Sequence, residues 1–291
     1  MLRLVLPKGS LEQQTLRLFE EADLRVRRGS DRDYHGSIDD DRIERVSLLR
    51  PQEIPVYLQD GLFDLGITGQ DWIAETEADV EVLTPLSYAK SGTGHGTKVV
   101  LAVPADHVAN AAREMPAGSR ISTEFERLTK RYFDDLGIDV HVVWSFGATE
   151  AKVPEIVDAI VDITETGSTL RAHGMKIIET LMTSEPVLVA NRAAAADAPK
   201  RRAMDDVVTL LLGALRAEGR VLIKLNVAEA DLAGVLEVVP SMKSPTVAKL
   251  QEGGFAIETV VEKAGVNRLI PMLKDRGATD ILEMPISKIV P

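Results

Sequence analysis

The sequence predicts an α/β chain: two α/β lobes joined by crossovers, then a compact βαββαβ module. Three observations predict it. Short apolar runs alternate with helix-period segments over roughly the first 200 of 291 residues, the pattern of a parallel sheet covered on both faces. A glycine-rich break, Lys90 to Thr97, interrupts that alternation, which then resumes. From Val221 onward the order of elements is strand, helix, two strands, helix, strand.

Leu2–Leu6 has the composition of a buried strand, and Ser10 is placed to cap a helix over Leu11–Ala22. Val46–Leu49 predicts a second strand, Pro51–Leu58 a helix with proline tolerated at its start, and Leu62–Thr68 a third strand. Gly69-Gln70-Asp71 then turns into a helix around Trp72. Gly92, Gly94 and Gly96 do not make a dinucleotide fingerprint, because their spacing is wrong and a strand, Val99–Val103, follows them. A crossover between lobes is the better reading. Ile121–Phe125 ends a strand and opens a helix over Glu126–Leu136, and Val140–Trp144 is the next strand. A helix near Glu150 and Asp158 leads into a strand ending at Asp162. Lys176–Leu181 and Val187–Asn191 are strands that return to the first lobe. Arg192–Arg202 reads as a linker or loose helix, and Asp205-Asp206 start an apolar helix to Ala217, closed by Gly219. The last unit comprises strand Val221–Val227, helix Glu229–Val238, strands Thr246–Leu250 and Phe255–Glu262, helix Val266–Arg276 and strand Asp280–Met284, a ferredoxin-like order. The expected domains are 1–92 with 178–200, 93–177, a linker helix 201–219, and 220–291.

Composition narrows the function classes. Hydrophobic residues at 45% and charged residues at 27% are ordinary for a globular chain, while 4% aromatics leave the cores to Leu, Val, Ile and Ala. A net charge of -11 argues against a general nucleic-acid binder, which needs a basic stripe. The absence of cysteine excludes disulfides and thiolate chemistry. No apolar run approaches a membrane span, and the N-terminal run is too short for a signal peptide, so a cytoplasmic enzyme or regulator is expected.

The most informative segment is Val157–Leu170. Its apolar strand ends in Asp162, and Thr166-Gly167-Ser168-Thr169 then opens a helix. Such a turn leaves backbone N–H groups unpaired and pointing one way, with hydroxyl donors beside them, which makes an anion site. An acid next to a phosphate cradle suits a ligand carrying both a phosphate and sugar hydroxyls, such as phosphoribosyl pyrophosphate. Lys8, in a strand-to-helix loop beside Gly9 and Ser10, is placed to neutralise a phosphate, and Arg50, before a helix start, to grip one bidentately. The alternative for each is a solvated surface charge. In Asp64–Asp71, Gly66 implies close approach of a backbone or ligand, and Thr68-Gly69 opens a second set of N–H donors, or simply a tight strand–helix turn. Asp39-Asp40-Asp41 reads as a solvated face, and the five histidines show no metal-ligand spacing. There is no GxxxxGK[ST] and no GxSxG.

These segments together resemble the ATP phosphoribosyltransferase family in its long form, over nearly the whole chain. The resemblance rests on Leu-Pro-Lys8-Gly-Ser, Arg50-Pro-Gln-Glu-Ile-Pro, Asp64-Leu-Gly-Ile-Thr-Gly-Gln-Asp71, Gly147-Ala-Thr-Glu150, Asp158 to Leu170, and Met242-Lys-Ser-Pro-Thr246-Val, in that order. It implies two catalytic lobes of the periplasmic-binding-protein type with the substrates in their cleft. It also implies attack of N1 of ATP on the anomeric carbon of phosphoribosyl pyrophosphate, with Mg²⁺ on the departing pyrophosphate and no assigned protein ligands to the metal. On this reading Glu165, Thr166, Gly167, Ser168 and Thr169 hold the 5-phosphate and Asp162 the ribose hydroxyls. Lys8 and Arg50 face the phosphates, Glu150 orients the nucleotide or sugar, and Asp64, Thr68 and Gly69 complete the substrate site. The family is the first enzyme of histidine biosynthesis, so feedback inhibition by histidine is expected, bound between C-terminal domains of a hexamer built from dimers. Asn226, Met242 and Thr246 match that effector pocket. Two departures stand out: Met242-Lys243-Ser244 replaces a more glycine-rich loop, and the Ser91–Thr97 crossover is longer than usual.

A solute-binding protein shares the two-lobe plan but has no use for the βαββαβ unit. A type I phosphoribosyltransferase normally carries two adjacent acids at the strand end, where this chain has Asp162-Ile163. A purely ligand-sensing module would leave the first 200 residues without a role.

Overall fold

The computed structural model describes residues 1–88, 96–240 and 244–291. The chain forms two compact units, one from Met1–Arg17 and Leu24–Val208, the other from Leu18–Asp23 and Thr209–Pro291.

The first unit holds two sheets. Strands β1 (Leu2–Pro7), β2 (His35–Gly36), β3 (Ile43–Leu49), β4 (Leu65–Gly69) and β5 (Val80–Pro85) belong to the first lobe, with helices α1 (Glu12–Glu21), α2 (Ile54–Gln59) and α3 (Gln70–Thr76) between them. Strands β6 (Thr97–Pro104), β7 (Ser119–Thr123), β8 (Val140–Trp144), β9 (Ala159–Thr164) and β10 (Met175–Ser184) form the second lobe, with α4 (Glu126–Leu136) and α5 (Ser168–Ala172). Strand β11 (Pro186–Asn191) returns to the first sheet, whose order is β2-β3-β1-β4-β11-β5; the second is β10-β6-β9-β7-β8. In the first sheet β3, β1 and β4 run parallel, and β11 is antiparallel to both neighbours. The predicted parallel core is present; β2 pairs antiparallel at one edge, and the re-entering β11 runs antiparallel between β4 and β5.

Several boundaries differ from the sequence reading, each for a local reason. Strand β10 stays antiparallel to β6 from Met175 to Ser184, so the return to the first lobe lies at Glu185 and not at 178. The second helix starts at Ile54, with Pro55 rather than Pro51 in its first turn. A short 3-10 turn, Thr149–Lys152, stands where a helix before β9 was expected. The Ala-rich segment is helical in two pieces, α6 (Arg192–Ala196), capped by the Asn191 side chain, and α7 (Ala198–Ala217), which begins seven residues before Asp205. Alanine, lysine and arginine are strong helix formers, and that propensity decides the segment. The proposed glycine-rich crossover lies mostly outside the described residues.

One close approach tightens the first sheet and another joins the two lobes. A Cβ on Gly66 would lie 2.6 Å from Val5 Cγ1 and 3.0 Å from the Val5 carbonyl oxygen, so glycine lets β4 lie tightly on β1. Helix α3 of the first lobe packs into the core of the second: Trp72 stacks on Phe125 with ring centres 4.7 Å apart. Glu75 accepts the backbone N–H groups of Arg127 (3.0 Å) and Leu128 (2.9 Å) at the start of α4. A carboxylate at a helix N-terminus meets both orphan donors and the positive end of the dipole.

The second unit is a four-stranded antiparallel sheet of β12 (Arg220–Val227), β13 (Thr246–Lys249), β14 (Phe255–Glu262) and β15 (Ala278–Pro285). Its order, β13-β14-β12-β15, is that of the expected ferredoxin-like module. Helices α8 (Leu232–Leu236) and α9 (Val266–Asp275) cover one face. Alternate residues of β12, Val221, Ile223, Leu225 and Val227, point into that core with Ile257 and Leu273.

Candidate functional site

The carboxyl ends of β4 and β9 and the amino end of α1 meet around a cavity of about 230 Å³ in the cleft between the two lobes. Sites at strand carboxyl ends are the rule for such folds. The first lobe contributes Leu11, Gln14, Pro51, Gly69, Asp71 and Trp72 to its wall. The second contributes Ile163, Thr164 and Glu165, together with the stretch around Ser184 where β10 ends.

Strand β9 runs two residues past Asp162 before the turn begins. Burial, with the negative fields of Glu150 and Glu124 added, holds the Asp162 carboxyl above the usual carboxylate range, although the Ile163 N–H donates to its Oδ1 at 2.7 Å. The structure thus brings Glu150 and Asp162 together. Gly167 takes a left-handed conformation (φ 71°) just before α5. A Cβ there would also stand 2.8 Å from Ile177 Cδ1, a side-chain end that can shift, so it is the left-handed backbone that calls for glycine. The turn is self-organised: the Thr164 hydroxyl accepts the Gly167 N–H at 2.9 Å, and the Thr166 hydroxyl donates to Ser168 Oγ at 3.0 Å. Thr166, Ser168 and Thr169 are exposed, and Glu165 reaches the cavity wall.

On the first lobe, Lys8 Nζ donates to the carbonyls of Asp31 (3.2 Å) and Arg32 (3.4 Å) and lies 4.4 Å from the Tyr34 ring centre. These are uncharged acceptors, so the loop orients the ammonium without neutralising it. Arg50 is exposed, and its Nη1 lies 3.5 Å from where a Cβ on Gly9 would stand. Arg50 thus lies beside the loop that carries Lys8, and neither residue lines the cavity described above.

Two expected substrate contacts are placed elsewhere. Asp64 is buried before the amino end of β4, away from the strand ends that line the cavity. Its carboxylate accepts from Arg3 N (2.8 Å), Nε (3.0 Å) and Nη2 (2.9 Å) and from Lys200 Nζ (2.9 Å). Burial alone would raise the Asp64 carboxyl, but those donors overcome it and hold it far below the ordinary range. It is a structural ion triad. Thr68 is fully buried, and its hydroxyl donates to the Pro51 carbonyl at 2.8 Å. It therefore fixes the Arg50-Pro51 turn and has no hydroxyl left to donate to a ligand. Gly69 does line the cavity: a Cβ there would fall 2.0 Å from Asp71 Oδ1.

Residues that the sequence reading did not assign share the site. Asp71 is buried, receives the Ser184 hydroxyl at 2.6 Å, and its carboxyl is raised by burial. The acid was visible within Gly-Gln-Asp71, but its partner lies 113 residues away, beyond any local pattern. Lys152 donates to Ser145 Oγ (2.7 Å) and Ser122 Oγ (3.3 Å), tying the turn that carries Glu150 to the ends of β7 and β8. Among the described residues no group of three or more His, Asp or Glu side chains converges to hold a metal ion. No helix of the described residues is long and apolar enough to cross a membrane.

In the second unit, the Asn226 amide donates to Asp280 Oδ2 at 3.0 Å on the sheet face opposite the helices. Thr246 is exposed at the start of the edge strand β13, and Met242 lies outside the described residues.

Comparison with known proteins agrees with this architecture. The profile described as ATP phosphoribosyltransferase matches residues 50–213, and that of the HisG C-terminal domain matches residues 217–288. An ATP phosphoribosyltransferase of Desulforudis audaxviator is 45% identical over 100% of this chain and 99% of its own length. One from Nitratidesulfovibrio vulgaris (strain Hildenborough) is 44% identical over 99% and 98%. Among solved structures, an ATP phosphoribosyl transferase (HisG:HisZ) complex from Thermotoga maritima superposes with a TM-score of 0.61 at 27% identity, covering 72% of this chain and 96% of that one. With one profile spanning more than half of its length and relatives aligned from end to end, the chain is an enzyme that belongs to the ATP phosphoribosyltransferase family.

Proposed function

We propose that the enzyme transfers the 5-phosphoribosyl group from phosphoribosyl pyrophosphate to N1 of ATP, releasing pyrophosphate, as the first step of histidine biosynthesis. The observation that supports this reading is the end of β9, where Ile163, Thr164 and Glu165 line the interlobe cavity and are flanked in sequence by one half-buried acid, Asp162, and by a glycine turn rich in hydroxyls. A phosphorylated sugar needs both: acceptors for its hydroxyls and donors for its phosphate.

In the proposed complex Asp162 accepts from the ribose hydroxyls, and residues 165–169 surround the 5-phosphate with backbone N–H groups and hydroxyls. Lys8 and Arg50 face the remaining phosphates across the cleft, and Thr68 acts by holding the Arg50-Pro51 turn. Glu150, fixed by the turn that Lys152 ties down, orients the sugar or the nucleotide. Transfer passes through a sugar cation, so the enzyme gains rate by holding N1 in line and fixing the ribose, without a strong base. Bound Mg²⁺ supplies charge neutralisation on the departing pyrophosphate. On this reading the ion arrives with the pyrophosphate, and Asp162 and Glu150 are the acids beside it; among the described residues they are not part of a group of three or more metal-ligating side chains.

The C-terminal module is proposed to bind histidine and to inhibit, within dimers that assemble to a hexamer. The Asn226–Asp280 pair supports this, since an amide beside a carboxylate can meet an amino acid's charged groups; Thr246 and Met242 complete the proposed pocket. The test is the apparent affinity for phosphoribosyl pyrophosphate in Asp162→Ala and Thr166→Ala. Each is expected to weaken it at least about tenfold, the worth of a charge-assisted or phosphate hydrogen bond. Unchanged affinity in both variants would overturn the assignment.

A further inference from the structure

A cation on the second lobe hydrogen-bonds to two neutral hydroxyls. Lys152 ends the 3-10 turn Thr149–Lys152, and its ammonium donates to Ser145 Oγ at 2.7 Å and to Ser122 Oγ at 3.3 Å. Both serines are fully buried. An ammonium can only donate, whereas a hydroxyl accepts twice and donates once. Ser145 Oγ is therefore filled as an acceptor: Lys152 takes one position and the Gly147 N–H, at 3.3 Å, takes the other. Its contact of 3.1 Å with Thr149 Oγ1 then has one direction, with Ser145 as the donor. The Gly147 carbonyl, at 3.3 Å, is the longer alternative for the same proton. Either way Thr149 cannot donate to Ser145, and its proton is left for another acceptor. That acceptor is Asp162, whose carboxyl has the Thr149 side chain as a hydrogen-bonding neighbour.

The chain thus ends on the acid on which the proposed reaction, and with it this inference, rests. Burial and the negative groups around Asp162, Glu150 on the turn and Glu124 at the end of β7, favour its protonated form. Lys98 of β6 and Arg171 of α5 are cations on the elements alongside. A protonated carboxyl turns one oxygen into a donor and is a poorer acceptor for two ribose hydroxyls. We propose that Lys152 is a positioning residue: its ammonium fixes the direction of a hydroxyl chain, Ser145 then Thr149, that ends as a donor on Asp162 and leaves that carboxyl an acceptor toward the ribose. Without the ammonium, Ser145 can accept from Thr149, and Asp162 keeps only the Ile163 N–H. Lys152 acts on the sugar through Asp162.

The test is the pH dependence of phosphoribosyl pyrophosphate binding, measured by calorimetry without turnover. The proteins are the full-length enzyme, Asp162→Asn, Lys152→Met, Thr149→Val and the double variant of the last two. Binding by the unaltered enzyme is expected to weaken toward acid pH along a limb that Asp162→Asn lacks. Lys152→Met and Thr149→Val are each expected to move that limb to higher pH by about half to one unit, the worth of one hydrogen bond to the charged form. The double variant is expected to show no more than the shift of Thr149→Val, because the chain is already cut at its last link. Ionisation of the ligand's own phosphates is common to all the proteins and cancels in the difference. Lys152→Leu serves where Lys152→Met does not fold. A limb that survives Asp162→Asn, or that stays in place in either single variant, overturns the assignment. So does a Lys152→Met shift that persists in the Thr149→Val background, the mark of a charge acting through space. Pyrophosphate release on addition of ATP and Mg²⁺ is measured separately. The expected limb shifts without release refute the transferase chemistry and leave Lys152 in its role, whereas release with unmoved limbs refutes Lys152 alone.

Discussion

Replacing Asp64 by alanine separates a residue that holds the fold from one that holds a substrate. Four hydrogen bonds of 2.8–3.0 Å end on this carboxylate, three from Arg3 and one from Lys200. Truncating one member of a buried ion pair typically costs about 3–5 kcal/mol, because the partner charge is stranded. Here the Arg3 and Lys200 side chains keep 29% and 32% exposure, so both can rehydrate, and the loss belongs at the low end, about 3 kcal/mol. For a unit of this size that lowers the melting temperature by about 6–12 °C. The pH dependence has a definite sign. The folded-state carboxyl is depressed, so its stabilisation is complete above the unfolded value of about 3.9 and is lost as pH falls toward the folded one. The gap between parent and variant should be full at neutral pH and should narrow below about pH 4. Scanning calorimetry at several pH values measures this, and initial rates at 25 °C should give a KM for phosphoribosyl pyrophosphate within about twofold of the parent. An unchanged melting temperature with a KM raised tenfold or more would refute the structural role.

Other perturbations test the site itself. Glu150→Gln removes one of the negative fields that raise Asp162, so the acid limb of 1/KM for phosphoribosyl pyrophosphate should move to lower pH; a shift to higher pH would contradict the proximity. Gly69→Ala sets a Cβ 2.0 Å from Asp71 Oδ1 and should cost about 1–3 kcal/mol by overpacking, with a fall in kcat/KM as Asp71 leaves Ser184; a fully active, equally stable variant would show that the turn yields freely. Thr68→Val removes the donor to the Pro51 carbonyl and should destabilise by about 1–3 kcal/mol while raising KM through the displaced Arg50 turn, readable by urea unfolding and initial rates. Glu75→Ala uncaps α4 and should lower stability by about 1–2 kcal/mol, visible in the same unfolding experiment.

What could be read in the sequence follows the range of the interactions. Strand β8 and helix α4 have the bounds expected of them, since apolar alternation and a clear periodic face mark them locally. The Thr166–Thr169 turn was legible for the same reason: its conformation is set by Gly167 and by hydroxyls two or three residues away. Asp64 and Thr68 were misjudged because their partners, Lys200 and Pro51, lie 136 and 17 residues off, and a motif shows which residues stand together but not which side of the strand end each serves. The end of β10 was missed because its antiparallel pairing with β6, a long-range contact, carries the strand past Leu181 to Ser184.

The most direct measurement of the central claim is pyrophosphate release by the purified chain given ATP, phosphoribosyl pyrophosphate and Mg²⁺, with and without histidine. The proposed function predicts release that requires both substrates, falls at least about tenfold in Asp162→Ala, and is suppressed by histidine. Release indifferent to Asp162 would contradict the site, and no release from a chain that still binds ligand in the cleft would contradict the proposed reaction.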